Sequence, residues 1–281
     1  PLWWRRKLRD VHAKNVEGAS IALGYVNRAR DCYVSNESVY RRAQQNERNA
    51  EALAATQMMN EDGEIYTLAE LAAKGTANKA IRRAELMTRI AGFERIALDL
   101  GHVGLFVTMT APSRMHKWST LRGNDRVIEN RKYDGTTPKE AQRTKKKTGA
   151  RSRAELARRQ IQQYGFRIAE ANHDGTPHWH LLLFCAATHA TDLQAVIKRQ
   201  ALKDSPDEAG AEQHRCDFRM IDAGKGSAAG YIAKYVAKNI DGYKLDKDLF
   251  NNDAIQSSHR IEAWASTWGI RQFQQIGGPP V

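Results

Sequence analysis

Residues 164–184 read YGFRIAE, ANHDGTP and HWHLLLF in succession. The first and last segments are typical of β-strands, whereas the Asn, Asp, Gly and Pro between them are turn formers. The stretch therefore predicts a β-hairpin. If Glu170 pairs with His178, the alternation of side chains along a strand places His180 on the same face. Ile168 then pairs with His180.

Two imidazoles and a carboxylate within a few ångström of each other can bind a divalent cation. Three protein ligands leave coordination positions open, as a catalytic metal requires. A single His-x-His occurs often without a metal, so this prediction depends on the register that brings Glu170 to the two histidines. We predict His178, His180 and Glu170 as ligands. His173 and Asp174 are interpreted as turn residues, although either could support a ligand from behind.

The chain before this hairpin divides near residue 100. The first hundred residues are predicted to be helical, with helices over 38–59 and 67–98, the second beginning with a capping box at Thr67 and Glu70. A β-rich run over 103–110 follows and stops at Pro112. We therefore predict a helical N-terminal region over 1–100 and a second domain over 101–281.

Between the β-rich run and the hairpin, residues 119–137 are polar and predicted to be a loop. A second capping signal, Thr137 to Glu140 with Pro138 at the first helical position, predicts a very basic helix that extends to about residue 163. Its charge is compatible with a solvated face and with a face that contacts phosphates. Both interpretations stay open on the sequence alone.

A further helix is predicted after Ser227, which can cap it. Tyr231 and Tyr235 are separated by four residues, so both phenols lie on one face, one turn apart. Such a pair is also typical of an amphipathic helix at the edge of a core. As nucleophiles for phosphodiesters, the phenols would need a nearby cation and a metal, and Lys234 could help supply the charge. The glycines before Ser227 lack the spacing of a P-loop, and no ATPase motif is visible.

Composition narrows the class of partner. The chain of 281 residues has 44 Lys and Arg against 32 Asp and Glu, a net charge of +12, which favours a polyanion such as nucleic acid. Three widely spaced cysteines give neither a disulfide framework nor a zinc site, as expected in a reducing compartment. The longest apolar run, over 181–187, is too short to span a membrane, and no signal peptide is visible. We expect a cytoplasmic location and no membrane partner, and the chain could be an excised fragment.

Three motifs in order resemble those of HUH endonucleases, enzymes that nick single-stranded DNA through a tyrosine. They are the strand at 106–110, Glu170 with the His-Trp-His of 178–180, and the Tyr-x-x-Lys-Tyr of 231–235. More narrowly, residues 110–114 and 165–184 are similar to the replication gene A protein family of tailed phages and prophages. The resemblance implies an α+β fold with a central antiparallel, palm-like sheet flanked by helices, which would make 101–281 the catalytic domain.

The activity that the resemblance implies is the initiation of rolling-circle replication by a two-tyrosine endonuclease in the cytoplasm of a bacterial host. One of Tyr231 and Tyr235 would attack the origin strand to form a 5′-phosphotyrosine, and the other would later accept the displaced strand and allow it to be rejoined. His178, His180 and Glu170 would hold Mg²⁺ or Mn²⁺. Single-stranded origin DNA and a host helicase are the implied partners. The residues predicted to contact DNA are Thr108, Thr110, Arg114, Lys145, Lys146, Lys147, Arg151 and Lys238.

Other functions remain open at this stage. A non-catalytic basic DNA-binding module would bind DNA without metal and form no covalent adduct. An HUH transposase would not need both tyrosines, and a relaxase would usually carry its tyrosines near the N-terminus together with a third histidine. Zinc-dependent hydrolysis by a metal-activated water would leave the tyrosines dispensable.

Overall fold

A five-stranded antiparallel sheet holds the predicted hairpin at its centre, with the strand order β8-β3-β7-β6-β9. The computed structural model describes residues 2–120, 126–222, 224, 226–248 and 250–277. Two short hairpins, β1 with β2 and β4 with β5, lie outside this sheet. The strands are β1 Gln57–Met59, β2 Ile65–Thr67, β3 His102–Met109, β4 Trp118–Thr120, β5 Val127–Glu129, β6 Tyr164–Ala171, β7 Pro177–Ala186, β8 Cys216–Met220 and β9 Phe273–Ile276.

Helices cover both faces of the sheet. They are α1 Leu2–Ala22, α2 Asn36–Ala55, α3 Leu68–Ala73, α4 Lys79–Asp99, α5 Pro138–Arg158, α6 Ala190–Leu202, α7 Ala211–His214, α8 Ala228–Ile240 and α9 Ala254–Trp268. The α+β class predicted from the sequence is therefore confirmed at the level of a mixed fold with an antiparallel sheet.

The central hairpin has the predicted register, with Glu170 opposite His178 and Ile168 opposite His180. Both faces of β7 are apolar along 181–184, because the sheet is buried between two layers of helices. One core contains Leu105 and Trp264 and receives α5, α6 and α9. The other contains Phe106 and receives α4 and α8. The histidines lie at the end of the second face.

Gly165 lets β6 and β7 approach each other closely. Its φ of 147° lies in a region that L-residues rarely adopt, and a Cβ there would collide with the backbone of Leu182, with the carbonyl carbon only 2.9 Å away. We expect Gly165→Ala to lower the free energy of unfolding by about 3 kcal/mol or more, measured by urea denaturation.

The matched control is Gly92→Ala within α4, where a Cβ meets nothing within 4 Å. This substitution is expected to be neutral or stabilising by about 0.5–1 kcal/mol, because alanine has the higher helix propensity. Equal effects at the two positions would contradict a close approach of the strands at Gly165.

Local signals in the first half of the chain are partly confirmed. The capping boxes at Thr67 with Glu70 and at Thr137 with Glu140 are both formed. The single helix predicted over 67–98 is wrong, because the chain leaves the helix after Ala73 and begins α4 with Asn78 as its N-cap. The loop predicted over 119–137 contains β5 and the end of β4, and its residues 121–125 lie outside the described ranges.

The predicted boundary near residue 100 falls at the end of α4. Residues before it contribute to both cores, Ile21 and Tyr33 to one and Ile90 and Phe93 to the other. No helix in the part of the chain that the structure describes is long and apolar enough to cross a membrane.

Candidate active site

One end of the sheet gathers the predicted site residues under α8. Glu170 on β6 lies opposite His178 on β7, and His180 lies opposite Thr108 on β3. The two imidazole rings are 4.9 Å apart between centroids. Alternation along the three strands places all four side chains on the face that α8 covers. The face predicted from the hairpin alone is the one that the tyrosine helix packs against.

His180 is held between two polar groups. Its Nε2 lies 2.8 Å from Oε2 of Glu170, and its Nδ1 lies 3.3 Å from Oγ1 of Thr108. The ring also stacks on Phe106, with centroids 5.5 Å apart. These contacts fix the plane of the imidazole, as the partners of a metal-binding histidine do.

Glu170 is a fully enclosed carboxylate with two cationic or polar neighbours. Lys238 on α8 donates to Oε1, while Oε2 faces His180. Burial by itself would raise the pKa of Glu170, but the Lys238 ammonium and the contact with His180 outweigh it and hold the pKa well below its ordinary value. Glu170 is therefore ionised at neutral pH.

His178 is neutral at physiological pH. Burial, reinforced by the neighbouring His180, lowers its pKa well below the ordinary value. A neutral imidazole is the form that binds a metal ion. The donor set of His178, His180 and an ionised Glu170 thus has the chemistry that a divalent cation requires.

The three donors are not arranged as a finished metal site. Within the described ranges, no three His, Cys, Asp or Glu side chains already form a group that could hold a metal ion. Both oxygens of Glu170 are engaged by the protein, one by the Lys238 ammonium and the other by His180. A cation could use these donors only if Glu170 turned away from Lys238 or from His180.

The two tyrosines occupy different environments on α8. The ring of Tyr235 lies 4.2 Å from that of His180 and 5.4 Å from Phe106. Burial, together with the charge of Glu170, raises the pKa of Tyr235 to about 12. Tyr231, one turn earlier, contacts the edge of Phe106 with ring centroids 4.8 Å apart and is 38% exposed. Tyr235 is the phenol next to the histidines.

Arg219 and Asp217 on β8 complete this surface and were missed by sequence reasoning. Arg219 donates from Nη1 to the Tyr231 hydroxyl at 3.4 Å and from Nε to Asp217 at 2.9 Å. The Tyr231 phenol and Asp217 raise the pKa of Arg219. No local pattern marks these residues, because β8 meets Tyr231 only through its pairing with β3, where Arg219 lies opposite Phe106.

Lys234 is exposed between the two tyrosines. Its Nζ lies 5.0 Å from the centroid of the Tyr235 ring, and no hydrogen bond joins it to either phenol in the described structure. The cation that reaches the carboxylate of the site is instead Lys238, one turn later.

Two residues predicted to contact DNA, Lys145 and Lys238, are buried in the protein. Lys145 is 4% exposed and donates to the Met109 carbonyl at 2.9 Å, and burial lowers its pKa to about 7. Lys238 is also 4% exposed and is paired with Glu170. An ammonium enclosed in this way cannot reach a phosphate without leaving its partner.

Three others of that set are engaged by the protein. Arg114 is bound by Asp134 and by Asp204, the latter at 2.9 Å. Thr110 donates to the His214 carbonyl at 3.0 Å, and Thr108 faces His180 as described. The remaining three are exposed on α5: Lys146, Lys147 and Arg151.

Asp174, in the turn of the hairpin, pairs with His116 from outside the hairpin. Asp174 is buried, and its Oδ2 lies 3.0 Å from Nδ1 of His116. Its other oxygen accepts from the Thr176 amide. Burial opposes ionisation of Asp174, but the His116 contact outweighs it and lowers the pKa. Asp174 therefore orders the turn and has no contact with His178 or His180 in the described structure.

Comparisons with known proteins agree with the motif order. Residues 2–243 match a family model described as bacteriophage replication gene A protein. Over 99% of this chain, the sequence is 40% identical to a replication protein of Haemophilus phage HP1. Over 100% of this chain, it is 40% identical to the replication gene A protein of Escherichia phage 186. It is 33% identical to a probable replication endonuclease from a prophage-like region of Salmonella paratyphi A.

The chain covers 36%, 40% and 34% of these three proteins, so it spans well under half of their length. No solved structure is significantly similar to it.

Proposed function

Because the chain belongs to the bacteriophage replication gene A protein family, we propose that it is the nicking and strand-joining part of an initiator of rolling-circle replication. The HUH arrangement of the site, the divalent cation and the tyrosine chemistry are parts of this proposal. The observation that carries it is the position of Tyr235, whose ring lies 4.2 Å from that of His180 at the end of the hairpin. A nucleophile beside a cluster of metal-binding donors is what phosphoryl transfer requires.

In the proposed reaction, the oxygen of a tyrosine attacks the scissile phosphorus of single-stranded origin DNA. A tyrosine–phosphorus bond forms, the bond from phosphorus to the 3′ oxygen breaks, and the proton lost by the phenol is matched by the one gained at the new 3′-hydroxyl. The number of phosphodiester bonds is conserved, so the step needs no ATP and runs backwards as strand joining. This agrees with the absence of a P-loop from the sequence.

The residues of the site have separate roles in this proposal. His178, His180 and Glu170 would hold Mg²⁺ or Mn²⁺, which supplies charge stabilisation at the phosphate. Thr108 orients His180 through its Nδ1. Because the pKa of Tyr235 is about 12, this phenol attacks only when cationic charge in the site stabilises the developing phenolate. Lys234, above its ring, contributes part of that charge.

Tyr231 has a different supporting group. Its hydroxyl accepts from Arg219, whose position is set by Asp217. A guanidinium beside a phenol can stabilise negative charge that develops on the attacking oxygen and can also bind a phosphate oxygen. We assign Arg219 as the residue that activates Tyr231, so that two phenols with different cations act in successive strand transfers.

The DNA and protein partners follow from the same chemistry. Lys146, Lys147 and Arg151 on the exposed side of α5 would bind phosphates outside the reacting one. Strand separation at the origin, for which the sequence shows no motor motif, would come from a host helicase.

The test is the formation of a covalent protein–DNA adduct. The protein is mixed with labelled single-stranded DNA that covers candidate origin sequences, with Mn²⁺ or with EDTA, and analysed on a denaturing gel. We expect an adduct with Mn²⁺ that is absent with EDTA and absent from the double variant Tyr231→Phe with Tyr235→Phe. The single variants are expected to reveal which phenol initiates. Tyr243→Phe, an exposed tyrosine beyond α8, is the control and is expected to keep the adduct.

A non-catalytic DNA-binding module is the second candidate, and the ion pair of Glu170 with Lys238 favours it because that pair occupies a predicted metal ligand. This alternative predicts tight DNA binding in EDTA and no adduct under any condition. Cleavage that persists in the double tyrosine variant would instead indicate hydrolysis by a metal-activated water.

A further inference from the structure

A basic groove lies between α1 and α2. It has a volume of about 830 Å³, and the end of α9 contributes Ser266 and Thr267 to its wall. The three helices pack on the core that contains Trp264, whereas α8 packs on the core across the sheet. We define the basic groove by its five arginines: Arg6, Arg9, Arg41, Arg42 and Arg48.

The charge of the basic groove is only partly balanced by the protein. Asp10 is the acidic residue in its lining, and its carboxylate is paired with Lys14. Glu262 neutralises Arg42 at 2.9 Å, and Glu37 neutralises Arg41 at 3.0 Å.

Three of the five arginines form no ion pair with a described residue, so their guanidinium groups can bind an anionic ligand. Arg6 and Arg9 have no carboxylate within ion-pair distance in the described part of the chain, and Arg48 contacts only the Gln45 amide oxygen. In addition, Nη1 of Arg41 is buried without a hydrogen-bond partner among the described residues. A buried donor without an acceptor is unfavourable unless a ligand or water supplies one.

The spacing of these arginines makes a track for a phosphate backbone. Arg6 and Arg9 are three residues apart on α1, and Arg41 and Arg48 are seven apart on α2, so each pair follows one face of its helix. Guanidinium groups bind phosphates bidentately and remain charged at any physiological pH. The row of charge suits an extended polyanion better than a single small anion.

We propose that the basic groove is a second DNA-binding site, which holds the phosphate backbone of DNA outside the catalytic face. The inference rests on the proposed function only in taking DNA as the polyanion. Trp3 lies one turn before Arg6 on the same face of α1 and is 57% exposed. An exposed indole beside a phosphate track suits the stacking of an unpaired base, so single-stranded DNA fits the groove best.

The test compares two triple variants of the 281-residue chain in EDTA, where no strand is cut. The groove variant is Arg6→Gln, Arg9→Gln and Arg48→Gln. The control is Arg95→Gln, Arg131→Gln and Lys203→Gln, which removes the same charge from exposed positions elsewhere. Binding of labelled single-stranded and duplex DNA without an origin is followed by fluorescence anisotropy over a range of salt concentrations.

We expect the groove variant to bind at least about tenfold more weakly at 0.1 M salt and to lose about 2–3 units of slope in log affinity against log salt. The control should keep most of the affinity. A larger loss with the single strand than with the duplex supports an unpaired occupant, and a loss with the duplex alone would make the occupant double-stranded.

Two outcomes would overturn the proposal. Unchanged DNA binding by the groove variant would indicate that the groove binds an acidic protein surface and not DNA. Equal losses of affinity in the two variants would show that only the net charge of the protein matters. The result is independent of the proposed chemistry, because a protein that never forms an adduct can still bind DNA through the groove. If both proposals hold, the groove variant still cleaves a short oligonucleotide that fills the catalytic face alone.

Discussion

Alanine at His178 or at His180 is expected to slow adduct formation by about 1000-fold or more. A cation that polarises the phosphate contributes several kcal/mol to the transition state, and each 1.36 kcal/mol is a factor of ten in rate. Mn²⁺ binding, followed by calorimetry or by electron paramagnetic resonance, should weaken in parallel. The two readouts together separate loss of the cation from loss of an unrelated function.

His214→Ala is the matched control, because His214 is an exposed histidine whose side chain lies outside the site. Its backbone carbonyl, which Thr110 contacts, is unchanged by the substitution. This variant should react and bind Mn²⁺ as the wild type does. Full cleavage activity in either His178→Ala or His180→Ala would exclude these imidazoles as ligands and remove the main support for a metal at the hairpin.

Replacing Lys238 with Met should destabilise the protein by about 3–5 kcal/mol, because the substitution removes the ammonium that pairs with the buried carboxylate of Glu170. Both side chains of this ion pair are at most 5% exposed. Lys238 also lies 5.0 Å from the Tyr33 ring and 5.6 Å from the Phe250 ring, contacts that the substitution weakens. Urea denaturation in EDTA measures the loss.

Two further variants identify the cause of this loss. Lys234→Met, one turn earlier on the exposed side of α8, should change stability by no more than about 0.5 kcal/mol. Adding Glu170→Gln to Lys238→Met should recover much of the stability, since no buried charge is then left unpaired. If Lys238→Met costs no more than Lys234→Met, the ion pair does not carry the stability assigned to it.

The same variant tests how the site accepts a cation. Mn²⁺ should raise the melting temperature of Lys238→Met more than that of the wild type. In the variant, the cation no longer competes with the Lys238 ammonium for Glu170. An equal shift in both proteins would show that the cation binds elsewhere or uses only the histidines. In the proposed enzyme, Lys238 therefore keeps the carboxylate ionised and neutralised until a cation arrives.

Much of the site could be predicted from the sequence because its signals are local. Strand alternation and one turn fixed the pairing of Glu170 with His178, which the structure confirms. The capping residue Ser227 and the four-residue spacing of the tyrosines likewise gave α8 and the face that carries both phenols. Each of these features depends on residues within about twenty positions of each other.

The single helix predicted over 67–98 is wrong because the sequence pattern did not locate a helix boundary. Its apolar pattern continues across the break, but the C-cap Lys74 ends one helix and the N-cap Asn78 begins the next. Periodicity predicts that a segment is helical more reliably than it predicts where the helix stops, since a few cap hydrogen bonds decide the boundary.

The hairpin register, the tyrosine spacing, the basic character and the replication family of this protein could all be predicted from its residues. Which charged groups are enclosed depends on how distant segments pack together. Lys145 and Lys146 are neighbours in the chain, yet one is buried against β3 and the other is exposed. Lys238 meets Glu170 only because α8 packs across the sheet. Charge is encoded locally, but desolvation and pairing depend on contacts between distant segments, and these set what each charge can bind.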